Sequence, residues 1–188
     1  MEIKISKGNT KIGKIPNISL VPIKDCGNCS FCKTKCYALK AYRQYPSTRK
    51  AWETNSEIFR HNIMDAARDI VPYLEKHNPK YFRIHVGGDL LNQQHLDMWI
   101  GISYVQKNTQ FMFNTKMFNL DYGGIPENLH IRFSMWPSQE IPETTLPKAW
   151  LDDGTEIRIP EDAVQCSGKC DECLVCYTTD KDVVFKIH

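Results

Sequence analysis

No stretch of this sequence is both long and apolar. No run approaches the ~18 residues of a membrane span, so a bilayer-crossing helix is not expected. Charge of one sign is never concentrated either. No Lys/Arg run of five or more occurs, and positive residues are interspersed with acids, so the basic stripe that marks a nucleic-acid binder is missing. There is no phosphate-binding glycine loop, no H-E-x-x-H helix and no Ser–His–Asp or Cys–His nucleophile set. No linker rich in Pro, Gly or Ser divides the chain, which predicts one domain over residues 1–188. The opening Met1-Glu2-Ile3-Lys4-Ile5-Ser6-Lys7 carries charge where an export signal has its apolar core. A reducing cytoplasm is the expected location, where persistent disulfides are rare.

The most informative absence lies inside the chain. From 37 to 165 there is no cysteine, and all eight cysteines fall into two groups of four. The first is Cys26, Cys29, Cys32 and Cys36, spaced C-x2-C-x2-C-x3-C. The second is Cys166, Cys170, Cys173 and Cys176, spaced C-x3-C-x2-C-x2-C, the mirror of the first. A hydrophobic core does not need thiols in this order. A polynuclear metal centre does, because four soft thiolates must converge from a short loop. The first spacing is the one bacterial ferredoxins use for a [4Fe–4S] cluster. The leading expectation is two [4Fe–4S] clusters, held by metal loops 26–36 and 166–176 and used for redox chemistry or electron transfer with a partner protein.

Two other readings of the thiols stand beside it. Four-thiolate zinc would also consume all eight, but zinc sites usually draw two ligands from each of two separated knuckles. A shared site from Cys26/Cys29 and Cys173/Cys176 is the form zinc would take here, in a module that binds a host protein. Disulfides would allow 105 connectivities and conflict with the expected compartment. For clusters, a local four-and-four partition is the default. The swap seen in two-cluster ferredoxins needs neighbouring loops, and the proline after the fourth cysteine there is Tyr37 here. Lys33, Lys35, Lys40 and Lys169 are candidates to offset cluster charge. Gly27, Ser30, Ser167 and Gly168 suit tight wrapping, and Phe31, Leu174 and Tyr177 could exclude water.

The 188-residue chain as a whole is of ordinary composition, 41% hydrophobic and 24% charged, with a formal charge of +2. Eight thiolates around two dicationic cores would lower that by about 4, so the basic balance does not point to nucleic acid. Periodicity predicts an α/β fold, a small mixed or partial-barrel sheet with flanking helices. Helices are expected at 37–43, from Ser47 to about His61, through Ile63–Leu74 with Pro72 weakening its last turn, and at 93–107 with Leu96, Ile100 and Tyr104 on one side. Strands are expected at 81–86, 110–114, 129–135, 155–159 and 183–187. Lys11–Ile23 reads as an irregular or extended entry to the first loop.

Gly87, Gly88 and Asp89 end the strand through His85, the position where α/β proteins place their sites. His85 and Asp89 are acid–base or ligand candidates; alternatively they are a core histidine and a helix-capping aspartate. Trp136-Pro137 and Trp150 are pocket or core candidates.

Cys166-x3-Cys170-x2-Cys173 resembles the cluster motif of radical S-adenosylmethionine enzymes, although it follows the strands rather than preceding them. Gly87-Gly88-Asp89 is similar to their glycine-rich cofactor element. That resemblance implies S-adenosylmethionine beside one cluster, with Cys176 able to close the open iron. A broader resemblance is to the phage and prophage gene product eighty-eight family. It is carried by Gly13-Lys14-Ile15-Pro16-Asn17, Cys36-Tyr37-Ala38, His85 with Gly88-Asp89, Gly168-Lys169-Cys170, Cys173 to Cys176, and the closing Val184-Phe185-Lys186-Ile187-His188. The family element near His85 looks like H-x-S-G-D, with Gly87 in the serine place. This resemblance implies a viral origin and action in a host cytoplasm, and no particular activity. Oligomeric state is left open by the sequence.

Overall fold

The computed structural model describes residues 1–27, 29–30 and 32–186. Phe31, Ile187 and His188 lie outside the described residues. The chain forms an α/β fold around a seven-stranded sheet in the order β1-β2-β3-β4-β5-β7-β6. The strands are β1 (Asn17–Ile18), β2 (Tyr81–Ile84), β3 (Gln110–Thr115), β4 (Leu129–Met135), β5 (Lys148–Asp152), β6 (Val164–Gln165) and β7 (Val183–Lys186). Every pairing is parallel. From β1 to β5 the order follows the sequence without reversal, and the sheet is open rather than closed into a barrel.

One face of the sheet is covered by helices α2 (Pro46–His61), α3 (Ile63–His77) and α4 (Gln93–Val105), and α1 (Tyr37–Gln44) packs on α2. Alternation in the strands sends Phe82, Ile84, Phe111, Phe113, Leu129 and Ile131 into the large core. There they meet Phe59, Ile70, Leu74, Leu96 and Trp99. Each such buried side chain contributes about 1.5–3 kcal/mol relative to exposure. The complementary strand positions Tyr81, Met112 and Arg132 look the other way. Met112 packs there with Ile15, Tyr177, Leu174, Cys170 and Cys176. The 166–176 segment thus covers the face that the large helices leave open.

Several local expectations change. The α2 helix starts at Pro46, its first-turn proline following Tyr45, and Ser47 is not its cap; a proline there loses no helical hydrogen bond. Pro72 does not end α3, which runs on to His77 and closes at Asn78 with φ 40°. In α4 the buried residues are His95, Leu96, Met98, Trp99, Ile102 and Ser103, while Tyr104 is exposed. Trp99 outweighs Tyr104 because it buries more apolar surface. Residues 155–159 form no strand; the strand is β5, whose Trp150 is core and donates from Nε1 to Asp182 at 2.7 Å. Among the described residues no helix is long and apolar enough to cross a membrane.

Candidate metal centre

The first cysteine group lies at the carboxyl ends of β2 and β3. Asp25, 1% exposed, anchors its start. It pairs with Arg60 of α2, accepts from the Val21 N–H at 3.1 Å, and its carbonyl accepts from the Asp89 N–H at 2.7 Å. Ile23 takes a left-handed φ of 70°, uncommon for a β-branched residue. Its N–H is directed at the sulfur of Cys26, 3.3 Å away. A Cβ on Gly27 would meet the Met117 sulfur at 1.8 Å, so the loop lies directly against the Met117 side chain after β3.

Burial pushes the Cys26 thiol up to about 12, against the Ile23 N–H that favours the thiolate; Asp89, Cys29 and Cys32 add to the rise. Burial also raises Cys32, against Lys116, with Cys29 and Cys36 adding to it. The four members of the group are therefore within electrostatic reach of one another as a chain of neighbours. They are half-buried, free thiols.

The second group surrounds a small cavity. Cys166, Cys170, Cys173 and Cys176 all line it, with Leu174, Val175 and Tyr177, and its volume is about 30 Å3. That is close to one water. The Cys166 N–H donates to Val184 and the Cys170 N–H to Lys11, at 2.8 and 3.1 Å. Cys170–Cys173 is a single turn of helix, α5, closed by Leu174 with φ 54°. Burial raises Cys170 and Cys176, and both are pulled back down by arginines, Arg83 for Cys170 and Arg132 with Arg83 for Cys176.

Arg132 is wholly buried. It donates to the Cys176 carbonyl at 2.9 Å, to the Thr179 carbonyl and to the Lys181 carbonyl at 3.4 Å. Its Nε has no partner, and among the described residues no carboxylate forms an ion pair with it. Burial works against its charge, as Arg83 does, while Cys176, Asp180 and Asp182 act electrostatically in its favour. A [4Fe–4S]2+ core with four thiolates carries about −2 and would add to that negative charge. The donor set and the unpaired Arg132 Nε therefore fit a cluster. The cavity as it stands, about 30 Å3, is smaller than a cluster.

Among the described residues no group of three or more His, Cys, Asp or Glu is arranged to hold a metal ion. The cysteine loops are thus present as two quartets, not as a formed metal site.

The cations beside the thiols are not the ones sequence spacing suggested. Lys33, Lys35, Lys40 and Lys169 are exposed, and Lys169 pairs with Glu172 at 3.3 Å. Arg83, Arg132, Lys116 and Lys11 are the nearby charges instead. The available signal was an arginine inside an apolar strand, Phe82-Arg83-Ile84 and Ile131-Arg132-Phe133.

Gly87, Gly88 and Asp89 sit beside the first group. The Gly87 N–H goes to the Ser19 hydroxyl at 3.2 Å and its carbonyl to the Leu20 N–H at 2.8 Å. A Cβ there would lie 2.9 Å from Trp52, and one on Gly88 (φ 80°) 2.6 Å from Leu20. Gly88 is thus favoured by its positive φ and the close approach of Leu20, and a side chain at Gly87 would crowd Trp52. Asp89 is not the cap of α4; Asn92 is, accepting from the His95 N–H at 3.0 Å. The buried Asp89 accepts from Thr115 Oγ1 at 2.6 Å and the Lys116 N–H at 2.8 Å, tying β2 to the end of β3. Burial pushes its carboxyl up against these bonds.

His85, at φ 51°, is a core histidine. Its Nε2 lies 3.2 Å from Nε2 of His95, whose Nδ1 accepts from the Leu91 N–H. Burial and Arg83 lower His85 to about 3, so both rings stay neutral. Trp136 is half-buried, with the Lys116 ammonium 5.9 Å from its ring.

The family described as Gene product 88 matches residues 3–179, and the chain belongs to it. This is the phage gene-product family that the sequence resembles. No curated protein and no solved structure matches the chain.

Proposed function

We propose that this member of the Gene product 88 family is an iron–sulfur protein that binds two [4Fe–4S] clusters and transfers electrons in a phage-infected host cytoplasm. Cys26, Cys29, Cys32 and Cys36 hold one cluster; Cys166, Cys170, Cys173 and Cys176 hold the other, in one domain spanning the chain. The carrying observation is the second quartet of cysteines gathered around one cavity, above a fully buried arginine whose Nε has no hydrogen-bond partner. Such a cation is stabilised by a thiolate-bound anionic centre and not by neutral thiols. The cluster, when bound, supplies one-electron chemistry. The residues of the chain supply the rest: Leu174 and Tyr177 limit water, the Ile23 N–H favours thiolate on Cys26, and Arg83 and Arg132 favour the more negative, reduced state at the second quartet.

Anaerobic purification followed by metal and sulfide analysis tests this. The expected result is brown protein with broad absorption near ~400 nm and about eight irons per chain. A colourless preparation carrying two zincs would support the interaction module instead and end the redox reading.

A further inference from the structure

The mixing of charges that holds for the chain as a whole stops between Asp25 and Glu53. The 27 residues from Cys26 to Trp52 contain Lys33, Lys35, Lys40, Arg43, Arg49 and Lys50 and not one Asp or Glu. The whole chain holds 24 Lys and Arg against 22 Asp and Glu, so this stretch is positive by six and the rest is negative by four. No five of these cations are consecutive, which is why a search for a basic run passes over them.

The fold brings them to the surface together. All six are exposed, and among the described residues none forms an ion pair. Lys33 opens a single 3-10 turn that leads through Cys36 into α1. Steps of three and four residues from Lys33 to Cys36, Lys40 and Arg43 keep these side chains on one side. Together with Leu39 they line an open groove of about 460 Å3. Arg49 and Lys50 follow near the start of α2. Tyr45 stands between the two helices, 51% exposed and flanked by Arg43 and Arg49. Lys11 extends the positive area at the start of α1, its ammonium 5.2 Å from the Tyr37 ring.

The facing carboxylates are few. Asp153 is within electrostatic reach of Lys35, Glu53 accepts from the Tyr42 hydroxyl at 2.6 Å, and Asp171 lies against Gly13 beyond Lys11. The cations that act on the raised thiols are Lys11, Arg83, Lys116 and Arg132. The six of this stretch are not among them.

We propose that this groove and its flanks bind single-stranded nucleic acid, with Lys33, Lys40 and Arg43 on backbone phosphates and Tyr45 stacked on a base. Six like charges repel one another across a shared surface. A polyanion relieves that repulsion and releases its own counterions on binding. The exposed tyrosine between arginines selects among polyanions: its ring offers a flat face that any base can stack on, and an acidic peptide gains nothing from it. A single strand presents its bases to that ring, whereas a duplex keeps them stacked inside. The contacts come from surface cations, so this proposal stands apart from the cluster reading.

Fluorescence anisotropy of a labelled oligothymidylate of about 12 nucleotides, titrated with the full chain as purified, tests it. An oligouridylate arm separates DNA from RNA. Neutralising four to six phosphates should lower affinity about 50- to 300-fold between about 50 and 200 mM salt. Lys40→Gln combined with Arg43→Gln should reduce the slope of log affinity against log salt by about 1.4. Tyr45→Ala should weaken binding at least about fivefold, and Tyr45→Phe should restore it. Lys76→Gln with Lys107→Gln removes two exposed cations from the amino ends of the strands and should change neither affinity nor slope. No binding at about 50 mM salt would overturn the proposal. So would an equal loss from the distant pair, a duplex bound as tightly as the single strand, or equal displacement by polyglutamate. Metal content, read on the same preparation, judges the cluster reading separately.

Discussion

The two cysteine groups are mirror images in sequence and unlike in their settings. The first sits at the carboxyl ends of β2 and β3, anchored by Asp25 to Arg60 and by Gly27 to Met117. The second lies across the open face of the sheet, packed on Met112, Ile15 and Tyr177 and placed over a buried arginine. The same four-thiol spacing therefore stands in two different environments, which the strands beneath it set.

That contrast breaks most readily at Arg132. Arg132→Ala strands three carbonyls and leaves a cavity under the second loop, so a loss of about 3–5 kcal/mol is expected by urea denaturation of the loaded protein. Lys116→Ala, the cation of the first group, is half-buried and should cost under about 1 kcal/mol in the same assay. Equal losses would mean that the two settings do not differ as described.

Cysteine replacement sharpens the comparison next. Cys176→Ala should remove or weaken only the second centre, leaving about half the iron, and Cys29→Ala only the first. Loss of all iron from either variant would mean ligands are exchanged between groups. Each variant should also unfold at lower denaturant than the loaded parent, because metal binding and folding are coupled.

Two pH effects follow from burial. In metal-free protein the Cys26 thiol is raised from 9.0 to about 12. The stability this contributes is present below about pH 9 and lost as the pH climbs toward 12, where the unfolded chain has already lost the proton. Cluster loading must remove such protons, so a pH-stat should register acid release on reconstitution. At the other extreme His85 is lowered from 6.5 to about 3. Its contribution is present above pH 6.5 and lost as the pH falls toward 3, because the unfolded chain binds a proton that the folded one refuses. Thermal melts between pH 7 and 4 should show the decline, and His85→Phe should reduce its slope.

A modest effect is expected at Gly87. Gly87→Ser places a side chain against Trp52 and Ala38, and should cost about 1–2 kcal/mol through local overpacking with both centres retained.

Much of the framework was legible in the sequence. The alternation in 129–135 marks β4 without error, and the spacing of Ile63, Ala66, Ile70 and Leu74 gives the buried face of α3. Short strands were not legible. Asn17–Ile18 and Val164–Gln165 are two residues each and owe their form to the strands they pair with. At the candidate centre, spacing identified the thiols. It could not identify Arg83 and Arg132, which approach through the fold from distant strands. Nor could spacing show that Tyr37 and Lys11 join the groups, because that contact depends on how the 9–13 turn meets α5.

The most direct test of the central claim is Mössbauer spectroscopy on iron-57-enriched protein kept free of oxygen. Two cubane components of equal area, each lost separately with its own cysteine group, are the predicted result. Spectra without any cubane component in folded, freshly isolated protein would contradict the account.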